Sequence, residues 1–136
     1  MREILFRGMN KFAPCRWIEG TGVFSDGINT WISFNEYNRP IAYGIQHYTV
    51  IPETVGQYTG MTDKNGKKIF EGDIVDCWSE GVNAQGTVQQ RRDGLWIIYP
   101  AWQKHIMWGL CPDEYSNTTV EVIGNIHDNP ELLKGE

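Results

Sequence analysis

Between residues 63 and 78 the chain reads Asp63-Lys64-Asn65-Gly66-Lys67-Lys68-Ile69-Phe70-Glu71-Gly72-Asp73-Ile74-Val75-Asp76-Cys77-Trp78. Asp63 to Gly66 is a strong turn, because an aspartate side chain bonds the backbone two residues on and Asn-Gly supplies the left-handed conformation. Lys67 to Glu71 is expected to form one short helical turn. Gly72-Asp73 then opens a strand, Ile74 to Trp78. Downstream the sequence predicts a Gly/Ser/Asn loop over 79–86 and a hairpin of Thr87–Gln90 with Leu95–Tyr99 around Arg91-Arg92-Asp93-Gly94. Strands at Ile106–Trp108 and Thr118–Ile123 follow, then a capped helical turn at 129–134 with Pro130 early in it. Strand, loop, hairpin and strand in this order point to an SH3-like small barrel over residues 57–136. Closing a barrel removes the exposed edges that short strands otherwise leave.

Toward the N-terminus the pattern is also extended. Residues 2–8 alternate, with Ile4 and Phe6 on one side. Short extended pieces at 14–19 and 22–24 surround Gly20 and Gly22. Ser25-Asp26-Gly27 is a turn, and in residues 28–34 Ile28, Thr30, Ile32 and Phe34 share a face. Residues 41–51 form another strand, bent at Gly44 and broken by Pro52. The expected organisation is an N-terminal β lobe (1–56) followed by the barrel lobe (57–136), together one integrated domain. No amphipathic helix of ordinary length is present, and the fold class is mainly β with few short helices.

Composition agrees. A chain of 136 residues, 40% hydrophobic and 21% charged, is ordinary globular material. A chain this long buries about two thirds of its surface on folding, enough for a core without metals or disulfides. Fifteen glycines, six tryptophans and six tyrosines suit turns joined by aromatic strands. No apolar run spans a bilayer, and the N-terminus lacks a secretory h-region. Cys15, Cys77 and Cys111 are odd in number and widely spaced, which suits a cytoplasmic protein. The net charge of −5 lies wholly in the second half: residues 1–56 carry five bases and five acids, residues 57–136 seven and twelve. That balance argues against a broadly basic nucleic-acid coat and suits a basic partner.

Templates for catalysis and cofactors fail. Gly20 to Ser25 lacks the third glycine of a dinucleotide loop. Gly60 to Lys68 has one residue too many for a phosphate loop. Asp63 to Gly66 starts like a calcium loop, but its glycine comes early. There is no Cys-x-x-Cys, no His-x-x-x-His and no Gly-x-Ser-x-Gly elbow. Neither cofactor nor metal is implied. Glu71 and Asp73 flank Gly72 and could act together as a hydrolase pair, or Asp73 could cap the turn entering its strand. Trp78, Trp96, Tyr99, Trp102 and Trp108 lie in the second half. They fill a barrel core, or, beside Arg91, Arg92 or Lys104, they stack on a base or a proline-rich peptide.

The run Thr54 to Val75, with Thr54-Val55-Gly56-Gln57-Tyr58-Thr59-Gly60-Met61-Thr62 leading into Asp63-Lys64-Asn65-Gly66, resembles the YopX family of phage and prophage proteins. The opening Arg2-Glu3-Ile4-Leu5-Phe6-Arg7-Gly8 and the closing Val122-Ile123-Gly124-Asn125-Ile126-His127-Asp128-Asn129-Pro130-Glu131-Leu132-Leu133 are similar to the family's ends. The family more often has a Tyr-Glu pair where this chain has His127-Asp128. The resemblance implies a small, mainly β protein of a phage or prophage in a bacterial host, and carries over no catalytic residues.

The functional expectation is a non-enzymatic accessory protein that binds a protein partner. Its candidate contact residues are Tyr58, Asp63, Lys64, Trp78, Arg91, Arg92 and Trp96. The alternatives are a nucleic-acid-binding module, which is less favoured, and a hydrolase using Glu71 and Asp73. Short edge strands also suit a homo-oligomer.

Overall fold

The computed structural model describes residues 3–13, 16–34, 46–79, 82–100, 108–110 and 112–133. The chain divides into two compact units, Met1–Tyr58 and Thr59–Glu136. The expected mainly β class is what the structure has: antiparallel sheets joined by tight turns, with helix confined to two 3-10 turns among the described residues. The expectations for Gly44, Trp102, Lys104, Ile106, Cys15 and Cys111 fall outside the described residues.

In the first unit, β1 (Phe6–Met9) pairs antiparallel with β2 (Trp17–Gly20). β3 (Gly22–Ser25), β4 (Thr30–Phe34) and β5 (Gln46–Val50) form a second antiparallel sheet. Ile18, Ile32 and Val50 form the core between them, with Phe6, Val23 and Val55 packed alongside. The chain bends at Thr21, between β2 and β3, and Gly20 stands just before the bend. A Cβ at Gly20 would lie 2.2 Å from the Ser33 carbonyl oxygen and 2.6 Å from the Ile32 side chain, so only glycine allows the strands to approach this closely. Leu5 is buried and Ile4 exposed, and regular pairing starts at Phe6. Ile28 is exposed in the turn before β4 rather than sharing the Ile32 face.

Pro52–Thr54 is a 3-10 turn leading into β6 (Gly56–Thr62). Thr54 ties this turn down. Its hydroxyl donates to the Ile51 carbonyl at 2.6 Å and accepts the Met9 N–H at 2.8 Å. The first residues of β6 pair with β1.

In the second unit, β6 continues beside β7 (Lys68–Phe70). The helical turn expected at 67–71 is therefore a strand. Its local sequence is neutral, and pairing with β6 decides the outcome. β8 (Asp73–Ser79), β9 (Val82–Gln90), β10 (Trp96–Pro100), β11 (Trp108–Gly109) and β12 (Glu121–Asn125) form a five-stranded sheet in the order β11-β10-β9-β8-β12. The loop expected over 79–86 is mostly ladder. Cys77 pairs with Ala84, Trp78 with Asn83 and Ser79 with Val82, so backbone bonding overrides a Gly/Ser/Asn composition. The predicted hairpin around Arg91–Gly94 is present, with Trp96 opposite Gln90. β11 and β12 do not pair among the described residues, so the ladder found there is an open sheet and not a closed SH3-like barrel. Met61, Ile69, Val75, Cys77, Val88, Trp96, Ile98, Leu110 and Val120 make its core. Pro130–Leu133 is the expected terminal turn, in 3-10 form.

Candidate binding surface

The Asp63 turn takes the form its sequence predicts. The Asp63 carboxylate accepts the N–H groups of Asn65 and Lys67, both at 2.9 Å, and Gly66 adopts φ +83°. Its other oxygen accepts the Val122 N–H at 3.0 Å, which joins the turn to β12. Burial pushes the Asp63 carboxyl upward, but these three backbone donors outweigh it and leave its pKa below the ordinary value. With 2% of its surface exposed, Asp63 acts as a clamp on these backbone groups. The second motif turn works similarly. Asp73, 1% exposed, accepts the Phe70 N–H at 2.8 Å, while Glu71 points into solvent. The two carboxylates are thus divided between core and surface.

The remaining expected contact residues fall into two groups. Tyr58 and Trp96 are buried, at 8% and 9% exposure, and Trp96 belongs to the core of the second unit. Large rings with apolar neighbours gain more from burial than from solvent. Burial, with the Glu3 carboxylate, holds the Tyr58 phenol above its usual range. Lys64, Arg91 and Arg92 are exposed. Lys64 reaches Glu121 at 3.7 Å, and Arg91 pairs with Asp93 at 2.9 Å across the hairpin tip. Trp78 stands in β8 opposite Asn83. Lys64 stands in the Asp63 turn, and Arg91 and Arg92 at the tip of the β9-β10 hairpin.

Another group comes together on the outward face of the β3-β4-β5 sheet. Register places Phe24 opposite Trp31, and His47 opposite Ser33, one step along the same face. The Phe24 and Trp31 rings stack, with centroids 4.9 Å apart and planes at 22°. The His47 ring meets both edge-on, at 5.9 Å from Phe24 and 6.4 Å from Trp31. Phe24 is 48% exposed and His47 is exposed, whereas Ile32 and Val50 on the opposite face are wholly buried.

The hairpin turn sets this alignment. The Asp26 carboxylate accepts the N–H groups of Ile28 and Asn29 at 2.9 and 2.8 Å, and the Ser25 hydroxyl donates to the Asn29 carbonyl. The Asn29 and Ile28 bonds lower the Asp26 pKa. Lys11 borders the face: its N–H donates to the Thr49 carbonyl, and its amine reaches Asn29 at 3.5 Å. Such flat, half-exposed rings offer rigid apolar area at small entropic cost, which is what contact surfaces use. Sequence reading passed over this group. Alternation already set Trp31 opposite in sense to Ile32, but only the hairpin register from Asp26-Gly27 brings Phe24 to it.

These features define a mainly β protein with a clamped motif turn in one unit and an aromatic sheet face in the other. The chain belongs to the YopX family: the family described as YopX protein matches residues 5–134, nearly the whole length. Among solved structures it is similar to protein EF1440 from Enterococcus faecalis, at 20% identity and a TM-score of 0.51, over 98% of this chain and 99% of that one. At that identity the likeness is one of fold. No curated protein matches. No helix among the described residues is long and apolar enough to cross a membrane.

Proposed function

We propose that this chain is a phage- or prophage-encoded accessory protein that works in the cytoplasm of a bacterial host by binding another protein, without catalysis of its own. The observation that carries the reading is the exposed Phe24–Trp31–His47 group on a sheet whose other face is core. Membership of the YopX family supports the phage or prophage setting.

The test is affinity capture from prophage-induced host cells, with bound protein and nucleic acid both analysed. The wild-type chain is compared with a Phe24→Ala/Trp31→Ala variant shown to be folded. The expected result is a protein retained by the wild type and lost by the variant. Equal retention by both, or retention of nucleic acid alone in a salt-dependent way, overturns the reading.

A further inference from the structure

The Asp63 turn carries chemistry that the binding reading leaves unused. Asn65 and Gly66 form an Asn-Gly pair, and both are exposed to water. Gly66 has no side chain to shield its backbone nitrogen, and nothing lies within 4 Å of where a Cβ would stand. That nitrogen can attack the Asn65 side-chain carbon. A bond forms from Gly66 N to Asn65 Cγ, the Cγ–Nδ2 bond breaks, and ammonia leaves carrying the Gly66 amide hydrogen. The five-membered imide that results is opened by water at either carbonyl, leaving aspartate or isoaspartate at position 65. Water is the one co-reactant, and nothing is oxidised or reduced.

The native geometry holds this reaction off. The Gly66 N–H donates to the Asp63 carbonyl at 3.0 Å, so the nucleophile is engaged. Asp63 Oδ1 accepts the N–H of Asn65 and of Lys67, each at 2.9 Å, so the backbone is pinned on both sides of the reacting bond. Attack requires the Gly66 nitrogen to be freed and swung toward Asn65 Cγ. We propose that Asn65-Gly66 is a spontaneous deamidation site latched shut by the Asp63 carboxylate, reacting only when this turn opens. An isoaspartate adds one main-chain atom between positions that Asp63 grips together. Because the same carboxylate holds the Val122 N–H, the modification also loosens the join to β12.

The experiment follows deamidation at position 65 of the full chain by peptide mass spectrometry, with enzymatic methylation to detect isoaspartate. Rates are measured at mildly alkaline pH for the folded wild type, the wild type unfolded in urea, and Asp63→Asn. If opening controls the reaction, the folded wild type reacts at least about tenfold more slowly than the unfolded chain, and Asp63→Asn reacts faster than the folded wild type. Equal rates in the folded and unfolded wild type overturn the proposal. A folded Asp63→Asn that reacts no faster overturns the assignment of the latch. Should that variant not fold, amide exchange in the wild type decides. Exchange at Asn65 and Gly66 must report the same opening equilibrium as the deamidation rate, and disagreement overturns the proposal.

Discussion

The Asp63 carboxylate accepts the backbone N–H of Val122 at 3.0 Å, across 59 residues of chain. One buried side chain therefore fixes both a local turn and the placement of β12. Asp63→Ala leaves three donors without this acceptor, and buried unsatisfied N–H groups are costly. The expected loss is about 3 kcal/mol, read by urea unfolding, with Asp63→Asn losing less because it keeps one acceptor oxygen.

The same group gives an acid signature. Its folded pKa lies below the ordinary value, so its contribution is fully present above the unfolded pKa and disappears as pH falls through the folded one. The stability gap between wild type and Asp63→Asn is expected to be full at neutral pH and to shrink as acid carries the pH below the ordinary carboxylate range. Urea midpoints across that range measure it, and a gap that widens in acid contradicts the assigned role.

Two glycines are expected to fail for different reasons. Gly20→Ala drives a Cβ into the backbone of Ser33 and is expected to cost about 2–3 kcal/mol through overpacking. Gly66→Val meets open space, and its cost of about 1–2 kcal/mol comes from the forced positive φ. Melting temperatures of the two variants order the effects.

Cys77 is buried, and loss of hydration, with Asp76 nearby, pushes its thiol up to about 11. A thiol that stays protonated is a poor nucleophile. Alkylation followed by peptide mapping is expected to leave Cys77 unlabelled at neutral pH until the chain is unfolded.

Ile32 and Trp31 are adjacent in β4 and face opposite ways. Ile32→Ala empties a fully buried site and is expected to cost about 2–5 kcal/mol. Trp31→Ala removes a stacked but partly exposed ring and is expected to cost less, about 0.5–1.5 kcal/mol beyond its area. A larger loss at Trp31 by chemical denaturation would mark that ring as core and not as contact surface.

Local signals were read well from sequence and long-range ones poorly. The Asp63-Lys64-Asn65-Gly66 turn is closed by bonds to Asn65 and Lys67, which residue types suffice to predict, whereas its bond to Val122 is not legible in the sequence. The strand state of Lys68-Ile69-Phe70 depends on β6 and is not written in its own residues. Trp96 was divided between core and surface because its two neighbours, Leu95 and Ile97, differ in burial for reasons that only the packed sheet supplies: Leu95 is half-exposed and Ile97 buried. The aromatic face was hidden because Phe24, Trp31 and His47 stand on three strands, and two registers must be known before they meet.

The boundary between the two units falls at Tyr58–Thr59, inside the seven-residue strand β6. A cut there would divide one strand between two fragments, one half beside β1 and the other beside β7. Deletion variants that split the gene at this junction are therefore poor reagents. Point substitutions in the intact chain are the sound way to assign roles to either half.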